Sequence, residues 1–267
     1  MQARFGRRCP SAASRNAVFA ALTAALLVTL APVRAQQATL AVAAASDLQA
    51  ALPQLAAAFE KESGTRVSLS FGSSGNFFTQ IQNGAPFDIL MSADVDYPRQ
   101  LERAGLAESD TLYRYGIGRI VLWTRRDTGI DLREGLSVLG SAKVKRIAIA
   151  NPDHAPYGRA AVAAMQRANV YDRAKPKLVF GENISQAAQF ATSGNAEVGI
   201  LALSLALAPA LKSLGEYIEI PADLHPPIEQ AAIVIARSSQ KAAARAFLAF
   251  LGKPESVQIL RSFGFSQ

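Results

Sequence analysis

Apolar and polar positions along the chain fall into short alternating runs, and most of these runs lead into a stretch with helical spacing. Residues 39–45 read as a strand. Leu48, Leu52, Leu55 and Phe59 then recur at intervals of three and four up to Gly64. Residues 67–71 are a second strand ahead of a helix near 77–83, and residues 88–92 a third ahead of a helix over 97–104. The same patterning predicts strands at 120–124, 146–150, 178–180, 198–202, 218–220 and 231–236. It predicts helices at 158–167, 185–192, 241–251 and 255–263.

Strands that alternate with helices at this spacing predict an α/β architecture with largely parallel sheets. Pro53 conflicts with the first helical pattern and should kink it or split off its first turn. Two stretches read as crossovers between domains: Tyr113-Arg114-Tyr115-Gly116-Ile117-Gly118 and Asp223-Leu224-His225-Pro226-Pro227. Two crossovers imply that one domain is built from both chain ends and the other is inserted. The expected division is 36–115 plus 226–267 for the first and 116–225 for the second.

The N-terminus stands outside this pattern. Arg4, Arg7, Arg8 and Arg15 precede an apolar run over 17–31, and Val33-Arg34-Ala35 follows with small residues where a signal peptidase reads. This is a secretory signal with cleavage expected after Ala35, and the run is shorter than the ~20 residues of a membrane span. The segment changes the charge argument. It holds five of the 28 basic residues and none of the 21 acidic ones, so the remainder carries +2 rather than +7. A nucleic-acid partner inferred from net charge loses its basis. Cys9, the one cysteine, leaves with the signal, so neither a disulfide nor a cysteine–metal site is expected.

Three strand-to-helix turns share a chemistry. Ala43-Ala44-Ala45-Ser46-Asp47 leaves a small-residue strand, with Ser46 in an N-cap position. Gly72-Ser73-Ser74-Gly75-Asn76 follows the second strand. Asn151-Pro152-Asp153-His154-Ala155-Pro156-Tyr157-Gly158 leads into an alanine-rich helix. In parallel sheets such turns gather at the carboxyl edge, where ligands bind. The first N–H groups of each helix lack partners and carry the positive end of the helix dipole; a hydroxyl adds a rotatable donor. Several such ends together make an anion site without lysine or arginine. Any one turn is also what ordinary helix capping produces; three of them in one chain favour a ligand.

Catalytic alternatives are weaker. Ser74 could be a nucleophile, but Asn76 stands where a hydrolase elbow needs its second glycine. His154 and His225 are the two histidines that could serve it, one read as structural and the other as a surface or crossover residue. There is no Walker-type Gly-Lys-Ser/Thr, and Gly116-Ile117-Gly118 precedes a strand, where a dinucleotide fingerprint would follow one. Tyr113 and Tyr115 could form an iron-binding pair, with hinge packing the better reading.

The motifs Ala43–Leu48, Phe71-Gly72-Ser73-Ser74-Gly75, Gly84-Ala85-Pro86-Phe87-Asp88, Ser92-Ala93-Asp94, Asn151–Gly158 and Phe263-Gly264-Phe265, taken in order, resemble those of the periplasmic molybdate-binding proteins, the capture components of molybdate ABC importers. The resemblance implies a two-lobed periplasmic binding-protein fold of type II, with two parallel-rich sheets flanked by helices and a hinge of two crossovers. It implies a receptor rather than an enzyme: a periplasmic monomer that binds molybdate or tungstate and passes it to a membrane permease. No cofactor and no direct protein–metal ligand is implied, because the oxyanion is held through its oxygens. Carried over by position, Ser46 and Ser74 are donors from the first lobe. Tyr157 is a donor at the start of a second-lobe helix, and Ile184 gives a backbone N–H at another. Asp47 is expected to contribute its N–H, since a carboxylate beside a dianion is repulsive. Ala202 stands where some relatives present a tyrosine hydroxyl. A same-fold receptor for sulfate or another small anion is the alternative, with a secreted hydrolase using Ser74 behind it.

Overall fold

In the computed structural model the described residues are 39–266, together with Gln2, Ala3 and Gly6. The apolar run over 17–31 and the cleavage site expected after Ala35 lie outside them. Ten strands follow in chain order: β1 (Thr39–Ala45), β2 (Arg66–Gly72), β3 (Ile89–Ser92), β4 (Tyr113–Gly118), β5 (Ile120–Arg125), β6 (Ile147–Ala150), β7 (Leu178–Gly181), β8 (Val198–Ala202), β9 (Gly215–Glu219) and β10 (Ile228–Val234). They make two five-stranded sheets, with orders β2-β1-β3-β10-β4 and β7-β6-β8-β5-β9. Each sheet is the frame of one lobe.

Both sheets are mixed. In the first, β2, β1 and β3 are parallel while β10 pairs antiparallel with β3 and β4. In the second, β7, β6 and β8 are parallel while β5 pairs antiparallel with β8 and β9. The expectation of largely parallel sheets therefore holds for one half of each. The antiparallel halves contain the strands that carry the chain between lobes. Tyr113–Gly118, expected to be a crossover, is strand β4 of the first sheet. The chain changes sheet at Arg119 and returns between Glu219 and Ile228.

The main helices are α1 (Leu52–Ser63), α2 (Ser74–Gln82), α3 (Asp96–Arg103), α4 (Pro156–Arg167), α5 (Ile184–Thr192), α6 (Lys241–Leu251) and α7 (Pro254–Ser262). Pro53 sits in the first turn of α1, where its missing N–H is harmless. The residues ahead of it form a separate 3-10 turn, Ser46–Gln49. Ser46 is thus the first residue of that turn rather than an N-cap; Ala45 holds the cap position without a side-chain bond.

Strand periodicity builds the first core. Leu40, Val42 and Ala44 of β1 face Leu52, Leu55, Phe59, Phe247 and Leu251. Ala43 points the other way, toward Phe77, Ile81 and Leu101. Phe59 and Phe247 meet edge to face at 5.1 Å. The second sheet packs a single cluster around Trp123, Ile149 and Ile200, closed by the alanines of α4 and α5. Those alanines let the helices sit close to the strands.

Gly158 shows how close. A Cβ added there would run into the Ala150 carbonyl at the end of β6. We expect Gly158→Ala to destabilise the protein by about 1–3 kcal/mol, the cost of overpacking against backbone that cannot swing away. Urea denaturation of variant and wild type would read this, and an unchanged midpoint would contradict the packing described.

Candidate functional site

The turns singled out in the sequence meet between the lobes. Register brings the first two together: Ala45 pairs with Gly72, so Ser46 lies beside Ser73 and Ser74 at the carboxyl edge of the first sheet. Across the interface Ala150 pairs with Gly181, and the Asn151 N–H bonds the Gly181 carbonyl at 2.7 Å, aligning the turns that open α4 and α5. Hydrogen bonds then join the two edges. The Ser185 N–H reaches Ser46 Oγ at 3.4 Å, and the Gly75 N–H donates to the His154 carbonyl at 3.0 Å. Tyr157 Oη donates to Asp47 Oδ2 at 2.9 Å.

Ser46, Asp47, Ser74, Tyr157 and Ile184 are all buried at this junction. The two hydroxyls have a common feature. Ser74 Oγ accepts from the Ala93 N–H at 2.9 Å, and Ser46 Oγ accepts from the Ser185 N–H. A backbone donor thus occupies each oxygen, and among the described residues neither hydroxyl has an acceptor for its own proton. Ser74 opens α2 and Ile184 opens α5, so their N–H groups belong to the unpartnered first turns. Asn183 caps α5 by accepting from Ser185 and Gln186 at 3.0 Å each, which leaves the Ile184 N–H outside that cap. The buried polar groups of the described residues include no lysine or arginine. The arrangement is a set of neutral donors at helix N-termini, fit for an acceptor-rich anion.

Asp47 is the exception to donors only. Its side chain turns inward, and Oδ2 accepts from Tyr157 Oη and from Gln230 Nε2 at 2.8 Å. Gln230 Nε2 also lies 2.9 Å from Tyr157 Oη, and Tyr115 Oη donates to Gln230 Oε1 at 2.9 Å. Oδ1 is buried with no hydrogen-bond partner among the described residues, although the N–H groups of Asp47 and Leu48 act on the carboxylate weakly. Burial raises the carboxyl to about 6, and the bonds from Gln230 and Tyr157 offset only part of that rise. Burial and then the Asp47 charge push the Tyr157 and Tyr115 hydroxyls well above their ordinary range, so both remain donors.

A ring of contacts closes the lobes around this centre. Ser204 Oγ donates to the Asp47 carbonyl at 2.7 Å, and His154 Nδ1 lies 3.0 Å from Ser73 Oγ. Asn76 bonds Glu182, Ser185 bonds Gln49, and Arg159 bonds Asp94 and reaches Tyr97 Oη at 3.3 Å. An open cleft of about 430 Å³ runs along one flank, lined by Asp94, Arg99, Pro156, Arg159 and Glu229 among others. None of Ser46, Ser74, Tyr157 or Ile184 lines it.

The other residues singled out above take definite places. A Cβ on Gly75 would sit 2.7 Å from the His154 carbonyl, so the space there serves contact between lobes. His225, expected at the surface or in a crossover, is a buried crossover residue whose Nδ1 meets the Pro226 carbonyl at 2.8 Å. His154 faces Ser73, not Ser74, so Ser74 has no histidine base beside it. Tyr115 is committed to Gln230 and the Ser92 carbonyl, and among the described residues no three His, Cys, Asp or Glu side chains gather as a metal site would need. Ala202 ends β8 fully buried. Sequence reasoning missed Gln230. Its signal was a lone amide in the apolar run of β10, which must find partners once buried.

Two lobes, each framed by a mixed five-stranded sheet and meeting where helix N-termini gather, make the architecture of a solute-binding protein. A family model described as bacterial extracellular solute-binding protein matches residues 40–266. The molybdate-binding protein ModA of Azotobacter vinelandii is 36% identical over 91% of this chain and 96% of its own. Its counterpart in Rhodobacter capsulatus is 38% identical over 79% of this chain and 82% of its own. The solved structure of the Azotobacter vinelandii periplasmic molybdate-binding protein superposes with a TM-score of 0.80 at 33% identity, covering 85% of this chain and 99% of that one. The chain belongs to the bacterial extracellular solute-binding proteins, and within them to the molybdate-binding proteins. These are binding proteins rather than enzymes.

The buried carboxyl makes a thermodynamic prediction. Its folded value, about 6, lies above the unfolded 3.8, so the folded state keeps a proton that the unfolded chain has lost. The stability it contributes is fully present below about pH 4 and is lost as pH rises through about 6. The rise from 3.8 to about 6 corresponds to about 3 kcal/mol. Denaturation of wild type and Asp47→Asn at a series of pH values should show their stability difference changing by that order across this window and flat above it. Parallel profiles would mean that the carboxyl is already solvated.

Proposed function

We propose that this chain is a periplasmic receptor that binds molybdate, and tungstate as a close analogue, and delivers it to the membrane permease of an ABC importer. The observation that carries this reading is the pair of buried hydroxyls, Ser46 and Ser74. Each accepts from a backbone N–H and keeps its own proton for an acceptor. The anion docks against the Ser46 and Ser74 turns, and the turns opening α4 and α5 supply the N–H groups of Tyr157 and Ile184. Tyr157 acts through its backbone, because its hydroxyl is engaged by Asp47.

The two lobes, one on the sheet of β1–β4 and β10 and the other on the sheet of β5–β9, act as the jaws, and the strand-to-strand passages at Arg119 and between Glu219 and Ile228 serve as the hinge. The ligand favours the closed arrangement because only there do donors from both jaws reach it, which is a shift of population. The segment over 1–35 directs export, and the released protein works as a monomer without nucleic acid or cofactor. Molybdate and sulfate share charge and shape, so their discrimination rests on the size of the donor cage.

Calorimetric titration of the purified protein with molybdate, tungstate and sulfate tests the reading. Tight one-to-one binding of molybdate with much weaker sulfate is the expected result. Preference for sulfate would make this a receptor for the smaller anion, and no heat with any of the three would refute an oxyanion site. Ser46→Ala and Ser74→Ala should each weaken binding by about ten- to a hundredfold, the worth of a hydrogen bond to a charged group. Each variant also strips a backbone N–H of its acceptor, so a thermal midpoint lower by a few degrees in a protein that stays folded is expected. Wild-type affinity in both variants would put the site elsewhere.

A further inference from the structure

We propose that Asp47 couples anion capture to proton uptake: its carboxyl is neutral whenever the site holds a dianion. This rests on the oxyanion reading above and goes beyond it. Asp47 follows Ser46 directly on the turn that the anion docks against. It is fully buried, and its Oδ2 is filled by Tyr157 and Gln230. Its Oδ1 has no partner among the described residues. A proton arriving from solvent therefore goes to Oδ1, and the carboxylate becomes a carboxylic acid with no other bond changed.

Among the described residues nothing nearby neutralises the charge instead. The 3-10 turn that carries Asp47 packs on α1, α5, β1, β2 and the short helix Leu203–Ala206. The strand β1, helix α5 and that short helix hold no titratable side chain. On α1 the charged groups are Glu60, Lys61 and Glu62 near its far end, and Arg66 starts β2 at the end remote from the turn. From β4 and β10 the facing groups are Tyr115 and Gln230, while Arg114 pairs with Glu229 at the surface. From α4 it is Tyr157, with Arg159 held by Asp94. His154 faces Ser73 and lies 3.8 Å from Glu182. Among the described residues no cation meets Asp47, so a carboxylate beside a dianion would repel it across a dry interior. Burial already lifts the carboxyl to about 6, and a neighbouring dianion moves it further the same way.

The test is calorimetry of the full protein with sodium molybdate in two buffers of different ionisation enthalpy, repeated between about pH 6 and 8.5. Near pH 7.5 the buffer dependence should report uptake close to one proton, and affinity should fall by up to tenfold per pH unit above about 6.5. Asp47→Asn should abolish both effects. Tyr157→Phe, which removes one donor from Oδ2, should move the break in affinity to higher pH, a change that a packing role alone would not produce. Equal enthalpies in the two buffers with binding intact would overturn the coupling and leave the receptor standing. Uptake that survives Asp47→Asn would overturn its assignment to this residue. No heat with molybdate would overturn both readings together.

Discussion

The hydrogen bonds that converge on Asp47 Oδ2 are the point on which the arrangement between the lobes depends. A carboxyl removed from water needs either a cation or donors, and here it has donors alone: a tyrosine from one lobe and a glutamine from the other. That requirement draws Tyr157 across the interface. It also explains a glutamine in the apolar strand β10 and a tyrosine below it that completes the amide's bonding. Gly118 belongs to the same knot, since any side chain there would collide with Tyr157 Oη and Gln230 Nε2.

Because the knot uses the tyrosine hydroxyl, the anion-facing donors must be backbone N–H groups and two serines. Neutral donors have a functional advantage. They stabilise a dianion through several modest interactions, with no fixed counter-charge that would hold any anion indiscriminately. They also need little side-chain freedom to be frozen, because the helices and the strand register already place them. The small residues that line these turns allow such closeness, as at Gly158 against Ala150 and Gly75 against His154.

The outer contacts serve a different end. Arg159 with Asp94, Asn76 with Glu182, and Ser185 with Gln49 lie toward the rim and are partly exposed. Exposed polar pairs of this kind contribute little stability each. That suits a closure which must form and come apart. The buried Asp47 knot, by contrast, is costly to leave half made, and it gives the closed arrangement its register.

Much of the fold was legible in the chain alone. The two-residue period of β1 and the three-to-four spacing of α1 follow from local geometry, and Pro53 marked the break between a 3-10 turn and that helix. The candidate donors were legible as well, because hydroxyls and glycines at strand-to-helix turns have few other uses in such number. The direction of strands β4, β5, β9 and β10 was not, since alternating patterns look alike in parallel and antiparallel sheets. Nor was the fate of side chains whose partners lie far along the chain: Tyr157 and Gln230 are 110 and 183 residues from Asp47. Residue order alone marked which turns could offer donors. Only the tertiary structure decided which donors remain for a ligand and which are consumed by a buried carboxyl, because that depends on what the second lobe brings to the first.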